Sequence, residues 1–74
     1  MYPSINLKET GKNIKKKIEE SGYSVEKLTT ILGFSSKSNI YKWFRGESLP
    51  TIDNFFALST ILGVTINDLI IATV

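Results

Sequence analysis

The chain contains no cysteine and no histidine. Without cysteine there is no disulfide framework, no thiolate zinc site and no thiol nucleophile, and a reducing compartment, the cytoplasm, is expected. Without histidine the commonest general base and the commonest transition-metal ligand are also missing, from a chain of 74 residues that is too short to wall off a deep pocket. The expectation is therefore no enzyme, no catalytic residue, no cofactor, no metal site and no small-molecule ligand. Long apolar runs are absent too: none approaches the roughly 20 residues of a membrane span. The opening Met1-Tyr2-Pro3-Ser4-Ile5-Asn6 lacks the charged and apolar regions of a signal peptide, so no membrane partner is expected.

Basic residues disappear after Arg45. Residues 1–46 hold all nine lysines and arginines against Glu9, Glu19, Glu20 and Glu26, a balance of +5, whereas residues 47–74 hold only Glu47, Asp53 and Asp68, a balance of −3. The two sum to the net +2 of the whole chain. One basic end and one acidic, apolar end give the molecule a natural face for an anionic partner.

What is present suits one small packed domain over residues 1–74, with 42% apolar residues and mean hydropathy near zero. A chain this small buries only about 60% of its unfolded surface, which leaves room for dimerisation to add stability. Helical periodicity broken by caps and glycines recurs along it, and no alternating stretch is long enough for a convincing strand. Five helices are predicted, at about 7–21, 25–32, 36–45, 52–62 and 66–71. Asn6 with Glu9 forms a capping-box pattern for the first, whose inner face is Leu7, Gly11, Ile14 and Ile18; Gly22 stops it. Ser24 caps the second, with Tyr23 and Leu28 placed as a hydrophobic staple and Val25, Leu28, Ile31 and Leu32 as the apolar stripe. Gly33 stops that helix, and Ser35 or Ser36 caps the third, which runs to Arg45 and Gly46. Glu47 to Pro50 is a loop. Thr51 caps the fourth helix, given a broad inward face of Ile52, Phe55, Phe56, Ser59 and Leu62, and Thr65 with Asp68 repeats the capping pattern for the fifth.

Two short helices joined by a tight turn at Gly33-Phe34-Ser35 make a helix-turn-helix unit, in which the second helix meets DNA bases. On a wheel of about 100° per residue from Lys37 at zero, Lys37, Tyr41, Arg45, Ser38 and Lys42 span roughly 0–140°, and Trp43, Ile40 and Phe44 span roughly 240–340°. One side is basic and hydrogen-bonding; the other is core. Lysine and arginine donate to guanine O6 and N7 or to phosphate, and serine and tyrosine to base edges or phosphate oxygens. Ser24 is placed to meet the sugar–phosphate rail. Lys15, Lys16 and Lys17 form either a phosphate-binding patch or the solvated outer face of the first helix. Trp43, beside Ile40 on the wheel, is a core anchor and not a stacking platform.

These pieces resemble the lambda-repressor-like, or Xre-type, helix-turn-helix regulators. The resemblance runs from about Leu7 to Ile70 and rests on Ser24 with Glu26-Lys27-Leu28, then Leu32-Gly33-Phe34-Ser35, then Ile40 to Gly46, Leu49-Pro50, Leu58 through Leu62-Gly63-Val64, and Asp68-Leu69. It implies a compact all-α domain of five helices that binds double-stranded DNA with its third helix in the major groove, often as a homodimer on a palindromic site. Carried over by position, Lys37, Ser38 and Lys42 are the base contacts, flanked by Ser36, Tyr41 and Arg45, with Ser24 and Asn39 toward phosphate. Three departures stand out: Val25 replaces the usual glutamine after the cap, Phe44 replaces the common acidic residue, and the turn Gly33-Phe34-Ser35-Ser36 is one residue longer. The apolar segment Leu69 to Val74 either covers the core, forms a homodimer seam, or serves a protein-interaction module such as an antitoxin built on the same scaffold.

Overall fold

The computed structural model describes residues 2–73; Met1 and Val74, the ends of the expected domain, lie outside the described residues. In chain order the elements are β1 (Ser4–Ile5), α1 (Leu7–Ser21), α2 (Val25–Leu32), α3 (Ser38–Arg45), α4 (Ile52–Leu62), α5 (Ile66–Leu69) and β2 (Ala72–Thr73).

The core is Ile14 and Ile18 of α1, Leu28 of α2, Ile40 and Trp43 of α3, Phe55 and Leu58 of α4, and Leu69 of α5. Each helix thus contributes its inner stripe to one cluster, the arrangement that amphipathic periodicity favours. Glycine sets the closest approach. A Cβ on Gly11 would overlap the Trp43 carbonyl oxygen and lie 3.0 Å from that of Phe44. Backbone contact here presses α1 against the C-terminal half of α3 and fixes the angle at which α3 emerges.

Four expectations are corrected. The Asn6 side chain accepts from the Glu9 amide at 3.0 Å, but the Asn6 amide donates to the Ile71 carbonyl at 2.8 Å, so Glu9 does not complete the capping box. Glu9 pairs instead with Lys12 at 3.3 Å. The box does close at α5, where the Thr65 side chain accepts from the Asp68 amide at 3.1 Å and the Asp68 carboxylate from the Thr65 amide at 2.9 Å.

The fifth helix ends at Leu69, not near 71, because the chain turns extended at Ile70 and β2 pairs antiparallel with β1, Ser4 opposite Thr73 and Ile5 opposite Ala72. Pairs of two residues are invisible to periodicity. Two polar side chains of α1 hold this tail. The buried Thr10 hydroxyl accepts from the Ile71 amide at 3.0 Å and lies 3.3 Å from the Ile71 carbonyl, and Asn13 donates to the carbonyls of Asp68 (2.7 Å) and Leu69 (3.1 Å). They satisfy carbonyl groups that a short helix end leaves without partners.

The apolar stripes also divide differently from the predicted ones. Leu7 and Ile31 are exposed, and on α4 Phe55 and Leu58 take the core positions while Ile52 is 70% and Phe56 66% exposed. Apolar residues surround α4 on all sides, so tertiary packing chose which side faces inward. The third helix begins two residues later than predicted, for a reason that belongs to the turn.

Candidate nucleic-acid interface

Helix α2 starts on Ser24, whose hydroxyl oxygen accepts from the Lys27 amide at 3.0 Å, and the hydroxyl proton stays available to a phosphate oxygen. The helix stops at Gly33 with φ 75°, a left-handed conformation that costs glycine little. The Phe34 amide then donates back to the Thr29 carbonyl at 3.0 Å, and the Phe34 ring packs edge-on to Trp43 with centroids 5.8 Å apart. That contact ties the turn to the inner side of α3.

Across Ser35, Ser36 and Lys37 the chain forms a wider turn. The Ser36 hydroxyl accepts from the Ser38 amide at 3.3 Å and lies 2.8 Å from the Ser38 hydroxyl, a local bond that competes with helix formation and delays α3 until Ser38. Lys37 is the capping residue, without a side-chain cap, and its carbonyl accepts the first bond of the helix, from the Tyr41 amide at 3.2 Å. Ser36 and Lys37 therefore stand in the turn at the head of α3, and Ser38, Asn39, Tyr41, Lys42 and Arg45 stand on the helix, all exposed. Ile40 and Trp43 are buried and Phe44 half-buried. Phe44 holds Tyr41 edge-to-face at 5.9 Å; in place of an acidic residue, an aromatic ring steadies the exposed tyrosine.

Two of the three cations on this surface have carboxylate partners. Glu26, in the first turn of α2, brings Oε2 within 3.6 Å of Lys37 Nζ, and Glu47 bonds Arg45 Nε. The Arg45 hydrogen bond holds the Glu47 carboxyl below its usual range and in turn raises the guanidinium, and Lys42 adds to the attraction on Glu47. Lys42 makes no ion pair among the described residues. The Arg45 pair is two residues apart in sequence; the Glu26–Lys37 pair depends on how the turn folds and carries no sequence signal. Lys8 also reaches this neighbourhood, since a Cβ on Gly46 would meet its Cα at 2.8 Å.

The three lysines of the α1 run have different surroundings. Lys15 is exposed, one helical turn after Gly11. Lys16 lines, with Glu9, Lys12, Asn13 and Ile71, an open cavity of about 240 Å³ beside the tail. Lys17 lies near Asp68, whose carboxyl is held below its usual range by hydrogen bonds from Thr65 and by this lysine. Among the described residues no cluster of metal-ligating side chains is assembled and no helix is long and apolar enough to cross a membrane.

The family model described as Helix-turn-helix matches residues 14–69. The chain belongs to the helix-turn-helix family, in its lambda-repressor-like (Xre) branch. The fold of this helix-turn-helix protein is similar to that of the restriction-modification controller protein C.AhdI from Aeromonas hydrophila, with a TM-score of 0.73 at 24% identity over 85% of this chain and 94% of that one. No curated protein sequence matches it. The helices that the family name describes are α2 and α3, and the matched residues also take in all of α4 and α5.

Proposed function

We propose that this protein is a sequence-specific binder of double-stranded DNA that regulates transcription, a reading in keeping with its similarity in fold to a restriction-modification controller protein. The observation that carries this is the division of α3: Ile40 and Trp43 lock one side into the core, and Ser38, Tyr41 and Lys42, the last without an ion-pair partner among the described residues, stand on the other. A short helix held that rigidly and that exposed suits the major groove, where lysine donates to guanine O6 and N7. Lys37, at the head of the helix, and Arg45, at its end, extend the contact to flanking bases. Ser36 and Asn39 flank it, Ser24 donates to the phosphate rail, and the exposed Lys15 is a further cation for phosphate.

Eight helical residues touch few base pairs, so one copy has little affinity to spare. A homodimer that places two α3 helices about 34 Å apart, one turn of DNA, reads a palindrome and doubles the contact. In vitro selection from random duplexes tests the whole reading, with an inverted repeat as the expected product. Lys42→Ala should then weaken binding to the selected site by about 5- to 150-fold, the range of one good base contact. Equal binding by K42A, or affinity that does not fall as salt rises, would refute it.

A further inference from the structure

The outward side of α3 carries a single apolar group. Of the side chains that span roughly 0–140° on its wheel, Lys37, Ser38, Lys42 and Arg45 end in hydrogen-bond donors, and Tyr41 alone presents a ring. That ring is 42% exposed. On its inner flank Phe44 meets it at 84° with centroids 5.9 Å apart, and Phe44 is itself half-buried against the core cluster. The buttress is therefore part of the folded body. One turn before and one turn after Tyr41, Lys37 and Arg45 are engaged by Glu26 and Glu47.

A tyrosine side chain has only two torsions to fix, so a ring already propped by a neighbour makes contact at little further entropic cost. What such a ring can recognise follows from the groove. The base edges of the major groove present hydrogen-bond donors and acceptors and one protruding apolar feature, the C5-methyl group of thymine. The one apolar group on the protein surface matches the one apolar group on the DNA.

We infer that Tyr41 is a specificity-determining residue that packs its ring against a thymine methyl, and that Phe44 is the positioning residue that holds the ring for this contact. The inference rests on the proposed placement of α3 in the major groove and adds the base that the middle of the helix selects. Lys42, the next residue, supplies a donor for guanine O6 and N7, so the two neighbours read different chemistry. A ring that only covered Phe44 would give the protein no sensitivity to a methyl group on the DNA.

Selection from random duplexes supplies the site, in which each thymine is then replaced in turn by deoxyuridine. This removes the methyl group and keeps the base pair and the O4 acceptor. For the parent protein, at least one such replacement should weaken binding about 4-fold, the worth of one buried methyl group. Tyr41→Ala should bind that duplex and the unsubstituted one equally. Tyr41→Phe keeps the ring and should keep the uracil effect. Phe44→Leu leaves an apolar side chain for the core but removes the ring edge, and its uracil effect should shrink. The quantity read is the ratio of two duplexes for one protein, and a loss of folded protein lowers both alike, so a merely structural role would leave the ratio unchanged.

A selected duplex in which no thymine methyl matters, or a uracil effect that persists in Tyr41→Ala, overturns the inference and leaves DNA binding standing. A ratio in Phe44→Leu equal to that of the parent overturns the positioning role. If no duplex is enriched or bound, the groove placement and the methyl contact fall together.

Discussion

Lys37 Nζ and Glu26 Oε2 lie 3.6 Å apart, so that a carboxylate from the first turn of α2 holds the ammonium at the head of α3. Both side chains are well exposed, and such pairs contribute little to folding. Their effect is on what approaches. In the proposed complex, a carboxylate at the edge of the DNA-facing surface would repel phosphate and keep Lys37 from binding any backbone at random, which would leave its proton donors for a matching base edge.

Glu26→Gln removes that restraint. Its affinity for random duplex should rise several-fold and the dependence of binding on salt should steepen by about one phosphate contact, while the preference for the selected site narrows. Titrations against both duplexes at several salt concentrations check this, and an unchanged slope with unchanged preference would show that Glu26 has no such part. The thermal midpoint should scarcely move.

Gly11→Ala should destabilise the fold. Its Cβ would overlap the Trp43 carbonyl oxygen, which is backbone and cannot rotate away, so α1 and α3 must separate. Overpacking of this kind costs roughly 1–3 kcal/mol, a large share of the stability of so small a domain. Alanine is the better helix former, so propensity alone predicts the opposite sign; urea unfolding of the two proteins decides between them.

Stability should fall in acid. The carboxyls of Asp68, bonded by Thr65, and of Glu47, bonded by Arg45, are both held below their usual range in the folded chain. Ordinary values near 3.9 for aspartate and 4.3 for glutamate apply when the chain unfolds. Below about pH 4 to 5 the unfolded chain binds more protons, so the contribution is fully present above those values and lost as pH drops through the folded ones. Asp68→Asn should flatten the fall in thermal midpoint between about pH 5 and 3, and raised salt should shrink the effect of Glu47 because that pair is exposed.

Much of this was legible in the residues because it is local. Gly33 and Gly46 mark helix ends, Ser24, Thr51 and Thr65 mark starts, and the spacing of Ile40, Trp43 and Lys42 separates the inner side of α3 from the outer. Each of these signals acts within one or two helical turns, where the backbone geometry is already known once the helix is assumed. The Ser36 bond to the Ser38 amide is equally short in range, but it competes with helix formation, and only the folded turn shows which side won.

Periodicity, capping and charge are properties of neighbours along the chain, and they were enough to predict five helices and a basic α3 face beside an apolar one. Tertiary packing is what brought Glu26 to Lys37, set Thr10 and Asn13 against the tail, and turned Phe55 inward and Phe56 out. These depend on which surfaces meet. A helix that is apolar on every side, as α4 is, can bury only the side that its neighbours reach, and the choice belongs to the whole core.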